Sequence, residues 1–214
     1  MAVSNSVQLL SKTEIEHCMK LILASTSPRR KELLQQIGVL FTQQAVHINE
    51  DVMPNENAEH YVLRLAQEKA AAGFDQLSEQ QQIDSVILAA DTTVVCDDQI
   101  LAKPESILHS KEMLGLLSGR EHRVMTAISV CSRDKSEQKV VTTRVRFRQL
   151  SHNEIDNYWH TGEPQDKAGS YGIQGLAAIF VKSIDGSYSN VVGLPLCETA
   201  ELLKHFDIPL WQDE

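Results

Sequence analysis

Most features that assign a protein to a class at sight are missing from this chain of 214 residues. Its cysteines, Cys18, Cys96, Cys131 and Cys197, stand too far apart for a CxxC redox pair or a zinc ligand set, so reduced thiols in a cytoplasmic protein are expected. No apolar run approaches the ~20 residues that cross a bilayer. The longest, Val86–Ala90, is strand-sized, and no membrane partner is expected. Residues 1–18 have no basic start, apolar centre or small-residue cleavage site and read as a polar N-terminal extension. A Walker A loop, a GxGxxG fingerprint, an HExxH helix, a nucleophile elbow and a histidine pair four apart on one helix face are all lacking, as are internal repeats and linkers rich in Pro, Gly and Ser. Positive charge is also short. Lys and Arg number 20 against 29 Asp and Glu, and the net charge of -9 argues against a stable nucleic-acid partner while allowing a small phosphorylated molecule that carries its own cation.

The composition is that of a folded protein, with 42% hydrophobic residues, and the length suits one core or two lobes sharing a sheet. Helical and strand patterns interleave, which predicts a compact α/β unit. Strands are expected at 21–24, 86–95 and 100–102, followed by an antiparallel hairpin of 122–131 with 139–149. Helices are expected at 28–37, at 58–72 with Asn57 as cap and Gly73 as terminator, at 109–117, at 152–159 behind the capping box Ser151–Glu154, and at 196–206. Gln76–Gln82 reads as a surface connection. The glycine-dense stretch 162–193 reads as tight turns around one strand, 176–181, and so as a cleft wall. Arg144, Arg146 and Arg148 share one strand face, as a solvated sheet edge or part of a subunit interface.

Several residues break the local pattern. Ser27 caps a helix that Pro28 opens, yet Arg29 and Arg30 fall in its first turn, against the helix dipole. A bound phosphate reverses that sign, because backbone NH groups, a seryl hydroxyl and guanidinium forks then converge on the same oxygens; otherwise both arginines are solvated. Asp91 lies inside the apolar run 86–95, where it either faces water at an edge or requires a cation. Lys69 falls on the inward stripe of its helix with Val62 and Leu65, to snorkel or to serve chemistry. Lys103, before Pro104, projects from a strand end. With Glu50, which is otherwise a solvated loop carboxylate, these groups suit a phosphoryl site in which Glu50 and Asp91 offer oxygen ligands to Mg2+ or Mn2+.

Six segments, taken in order, carry a resemblance: 21–30 (LILASTSPRR), 64–69 (RLAQEK), 89–92 (AADT), Lys103-Pro104, 166–175 (DKAGSYGIQG) and 192–196 (VGLPL). Together they resemble the motif series of the Maf family of nucleoside triphosphate pyrophosphatases, which places a Maf-like domain at 19–208. The resemblance implies a two-lobed α/β fold, shared in outline with inosine-triphosphate pyrophosphatases, with an elongated mixed central sheet and an interlobe cleft. It implies release of pyrophosphate from a nucleoside triphosphate, Asp91 as proton acceptor, and a homodimer. Arg29, Thr92 and Gln174 match the positions that set base preference, in the combination of the subgroup acting on dTTP and UTP. Ser27, Arg29, Arg30, Lys69, Thr92, Lys103 and Gln174 are the expected substrate contacts. Thr92 also reads as ordinary sheet packing. Two other readings stand beside this one: a nucleotide-binding regulator of division or septum formation that does not hydrolyse its ligand, and a purine pyrophosphatase of the inosine-triphosphate type.

Overall fold

A computed structural model describes residues 19–212, so the expected 1–18 extension lies outside the described residues. The strands are β1 (Lys20–Ala24), β2 (Phe41–Gln44), β3 (Ser85–Cys96), β4 (Gln99–Leu101), β5 (Glu121–Cys131), β6 (Ser136–Phe147) and β7 (Val181–Asp185). The helices are α1 (Pro28–Gln36), α2 (Ala58–Asp75), α3 (Glu79–Ile83), α4 (Ile107–Leu117), α5 (His152–His160), α6 (Tyr188–Val192) and α7 (Leu196–His205), with 3-10 turns at Glu163–Asp166, Ala168–Ser170 and Leu176–Phe180. One mixed seven-stranded sheet runs β2-β1-β3-β5-β6-β7, with β4 attached to β3. β1 is parallel to β2 and β3, and every other pair is antiparallel. The expected α/β fold on an elongated mixed sheet is therefore what the chain adopts.

Strand alternation divides the core in two. Leu21 and Leu23 of β1, with Val86, Leu88, Ala90 and Val94 of β3, join the large cluster that contains Leu33 and Leu34 of α1, Met113 and Leu114 of α4, and Leu202 and Leu203 of α7. Ile22, Ala24, Ile87, Ala89 and Val95 point the opposite way, into clusters built on α2 through Val62, Leu65, Ala66 and Ala70. Gly73 does not end α2. A Cβ there would lie 3.0 Å from Cβ of Ala24 and 3.2 Å from Cγ2 of Ile87, so the glycine lets the helix press on the sheet, and α2 continues to Asp75.

Other expectations change for equally local reasons. Residues 176–181 are not a strand: Leu176–Phe180 forms a 3-10 turn that buries Ala177 and Phe180 three apart, and the strand follows as Val181–Asp185. Because β7 pairs with Arg144–Phe147, the arginine-bearing end of β6 is not a sheet edge. The Gln76–Gln82 connection runs into α3, which a capping box between Ser78 and Gln81 opens. β2 is short and polar (Phe-Thr-Gln-Gln), without the alternation that marks a strand, and α6 is a single turn that buries Asn190 and Val192.

Gly169 ties the glycine-rich segment to the sheet. Its φ is 65°, its NH donates to the carbonyl of Ala102 at 3.2 Å, and a Cβ would stand 2.7 Å from Cγ2 of Val94. Gly169→Ala combines a left-handed φ with a clash inside the core, and it is expected to cost about 2–4 kcal/mol of stability in urea denaturation.

Candidate active site

β1 pairs with β3 only as far as Leu23 and Leu88, and β4 joins the same edge only at Val94, so Ala89–Thr93 has no strand neighbour on that side. A cavity of about 850 Å3 opens at this gap, at the carboxyl end of β1, between the 24–30 and 191–193 segments and the 163–175 segment. All nine residues expected from the sequence line it: Ser27, Arg29, Arg30, Glu50, Lys69, Asp91, Thr92, Lys103 and Gln174.

Adjacent residues of β3 serve opposite walls. Asp91 faces α2, where Lys69 Nζ donates to its Oδ1 at 2.6 Å, and the same ammonium lies 2.6 Å from Oε1 of Glu50. Lys103 Nζ reaches the other Glu50 oxygen at 3.2 Å. The Asp91 and Lys69 side chains are each 11% exposed, so Asp91 does not face water at an edge and Lys69 does not snorkel. Burial pushes the Asp91 carboxyl above its ordinary range; Lys69 and Arg30 pull it back, and Glu50 adds to the rise. For Glu50, burial acts upward too, but hydrogen bonds and charge from Lys69 and Lys103 outweigh it and hold the group below its ordinary value.

Thr92 faces α1. Arg30 donates from Nη2 to Thr92 Oγ1 at 3.2 Å, from Nε to the carbonyl of Gly193 at 2.9 Å, and from Nη1 to Ser25 Oγ at 3.4 Å. Thr92 Oγ1 also meets Thr126 Oγ1 at 2.9 Å, and Thr126 donates to the carbonyl of Asn190. Arg30 thus braces the start of α1 against β3 and the 193 turn. Ser27 accepts the backbone NH of Arg30 at 3.5 Å as N-cap, and no acidic residue occupies the first turn. Arg29 and Gln174 have no side-chain hydrogen-bond partner among the described residues, and both border open space in the cavity. Gln174 is exposed, while its neighbour Ile173 is buried.

Sequence reasoning did not single out the groups that hold the Glu50 loop. Tyr61 donates its hydroxyl to the carbonyl of Glu50 at 2.9 Å, and burial, then the charges of Asp91 and Glu50, push its pKa up to about 12, so it remains a donor. Arg64 grips Glu56 through two bonds of 2.7 and 2.8 Å and donates to the carbonyl of Asp51 at 2.9 Å. The available signal was helical spacing: Tyr61 and Leu65 share the stripe that ends at Lys69.

Among the described residues there is no group of three or more His, Cys, Asp or Glu that could hold a metal unaided. Glu50 and Asp91 offer hard oxygens of the kind that Mg2+ takes alongside waters and phosphate, and one oxygen of each is already paired with the Lys69 ammonium. The lining also carries five basic and five acidic side chains, so a triphosphate would enter without net protein countercharge.

An α/β protein whose cleft combines a helix start bearing arginines with a lysine-bridged carboxylate pair has the make-up of a nucleotide-phosphate enzyme. Residues 20–206 match the family model described as Maf-like protein, and the chain belongs to that family. It is 50% identical over 194 residues to the dTTP/UTP pyrophosphatase of Hahella chejuensis, covering 91% of this chain and 96% of that protein. It is 54% identical over 188 residues to the dTTP/UTP pyrophosphatase of Vibrio parahaemolyticus, covering 88% and 97%. The protein of that name from Colwellia psychrerythraea is 54% identical over 184 residues, covering 86% and 87%. No helix among the described residues is long and apolar enough to cross a membrane.

The Arg64 hydrogen bonds, set against burial, hold the Glu56 pKa down at about 2, from an ordinary 4.5. A depressed carboxylate contributes stability that is present above its unfolded pKa and lost as pH falls through its folded one. Glu56→Gln should therefore cost about 1–3 kcal/mol at neutral pH. Urea denaturation across a pH series should show the difference from the parent shrinking as pH falls from 4.5 toward about 2.

Proposed function

We propose that this protein hydrolyses dTTP and UTP to the monophosphate and pyrophosphate in the cleft beside β3. The observation that carries this reading is the cavity in which Lys69 bridges Glu50 and Asp91 opposite the Ser27–Arg30 helix start. Relatives at 50–54% identity that bear the name dTTP/UTP pyrophosphatase support the reaction and the pyrimidine preference. No comparable observation favours a binder without turnover or a purine enzyme of the inosine-triphosphate type.

The proposed chemistry follows from the groups present. The phosphate chain lies against the amino end of α1, where the guanidinium and backbone NH of Arg29 take its oxygens and Lys103 closes the opposite side. Asp91, ionised, accepts a proton from a water as that water attacks the α-phosphorus; the bond between the α-phosphorus and the bridging oxygen breaks, and pyrophosphate leaves. Lys69 fixes both carboxylates and balances their charge, and Arg30 acts from behind by holding Thr92 and the helix start. Mg2+ or Mn2+, held by Asp91 and Glu50 together with substrate oxygens, would supply charge neutralisation on the phosphates. The Gln174 amide offers both a donor and an acceptor, matching the imide edge of uracil or thymine. A cytoplasmic setting suits the free thiols Cys96, Cys131 and Cys197, and the protein is proposed to act as a homodimer without a stable nucleic-acid partner.

Pyrophosphate release should be faster from UTP and dTTP than from CTP, GTP, ITP or 7-methyl-GTP, and a chelator should abolish it. Asp91→Asn should remain folded and lose at least about 100-fold in kcat. Because burial raises the Asp91 pKa and the ionised form is the base, kcat/KM should fall with acid at a pH above the ordinary carboxylate value of 3.8. Near-normal turnover by folded Asp91→Asn would show that another group accepts the proton.

A further inference from the structure

The turn that presents Gln174 is held by a carboxylate that makes no contact with the phosphate-facing groups described above. Glu163, in the first 3-10 turn, accepts the backbone NH of Leu176 on Oε2 at 2.8 Å and that of Ala177 on Oε1 at 3.3 Å. The same Oε1 accepts the Tyr158 hydroxyl at 2.7 Å, and the hydroxyl oxygen in turn accepts the NH of Gly172 at 3.3 Å. Backbone NH groups on both sides of Ile173-Gln174 are thereby tied to one acid–phenol pair. Between them the turn closes on itself, Gly175 NH to Gly172 carbonyl at 3.1 Å.

The two glycines follow from this clamp. A Cβ on Gly175 would overlap the Glu163 carboxylate, and one on Gly172 would stand 2.8 Å from Cε of Lys167, whose ammonium is bound to the Glu163 carbonyl at 2.6 Å. Tyr158 packs edge-on against Phe180 with ring centroids 5.1 Å apart, which anchors the clamp in the core. Gln174 is left projecting from a turn with few ways to move, its amide free of protein partners among the described residues.

We propose that Glu163, acting with Tyr158, is the positioning residue for base selection: it fixes the Gly172–Ala177 turn so that the Gln174 amide meets the pyrimidine edge in one orientation. The proposal rests on the reading of Gln174 as the base-reading group. A preorganised amide gives up little freedom on binding, whereas a loosened one must be ordered by the substrate. Glu163 acts through Gln174.

The test is the ratio of kcat/KM for UTP to that for GTP in Glu163→Ala, Glu163→Gln, Tyr158→Phe and Gln174→Ala, and in the double variant Glu163→Ala/Gln174→Ala. Glu163→Ala should lower the ratio at least fivefold and raise KM for UTP more than it lowers kcat. Glu163→Gln, which keeps one acceptor, should recover part of the ratio, and Tyr158→Phe should lie between Glu163→Ala and the parent. The double variant should fall no further than Gln174→Ala alone, since both changes remove the same contact. A merely structural role would lower the melting temperature while leaving the ratio unmoved, and that result overturns the proposal, as does full additivity in the double variant. If Gln174→Ala leaves the ratio unchanged, the base-reading role of Gln174 falls and takes the proposal with it. If Gln174→Ala lowers the ratio and neither Glu163 variant does, the proposal alone falls.

Discussion

One ammonium held between two carboxylates organises this cleft. Lys69 reaches Asp91 from a helix and Glu50 from a loop, and without it two acidic groups would stand together at the edge of a dry sheet. An unpaired buried carboxylate is costly, and removing one partner from such a pair is far more disruptive than its net worth suggests. The surroundings are arranged to keep the ammonium in place. Gly73 lets α2 sit close to β1 and β3, which brings its stripe of Tyr61, Leu65 and Lys69 over the gap, while Arg64 and Tyr61 tether the loop that delivers Glu50.

The opposite wall is organised differently. Arg30 commits its three donor nitrogens to protein oxygens, which frees Arg29, its neighbour on the same turn, to face the cavity. A pair of arginines that looks redundant in sequence therefore divides into a brace and a side chain that borders the cavity. The same division recurs in the glycine-rich wall, where Glu163 and Tyr158 hold the turn and Gln174 faces outward.

Motifs with strong local chemistry are legible in the sequence itself. Ser27 and Pro28 mark a helix start, the apolar run around Asp91 marks a buried strand with a misplaced charge, and the order of six segments identifies the family. What stays hidden there are partners chosen by tertiary approach. Nothing near Arg64 in sequence announces that it grips Glu56 and Asp51, and nothing near Glu163 announces that it captures the NH groups of Leu176 and Ala177. That capture is also why the apolar stretch 176–180 is not a strand: two of its donors are taken by a carboxylate rather than by a ladder. The polar β2 escapes notice because a parallel neighbour, rather than an alternating face, defines it.

The balanced charge of the lining has a consequence for traffic into the cleft. A pocket with no net charge inside a protein of net charge -9 sits behind a repulsive shell for any polyanion. That shell extends only ~8 Å at physiological ionic strength, so it acts on approach rather than on the bound state. For the proposed substrate, bare nucleotide would be slowed more than nucleotide already paired with a divalent ion, the reverse of the steering found in enzymes with basic clefts. On the proposed function, the net acidity of the chain would favour the form of the nucleotide that arrives with its charge partly neutralised.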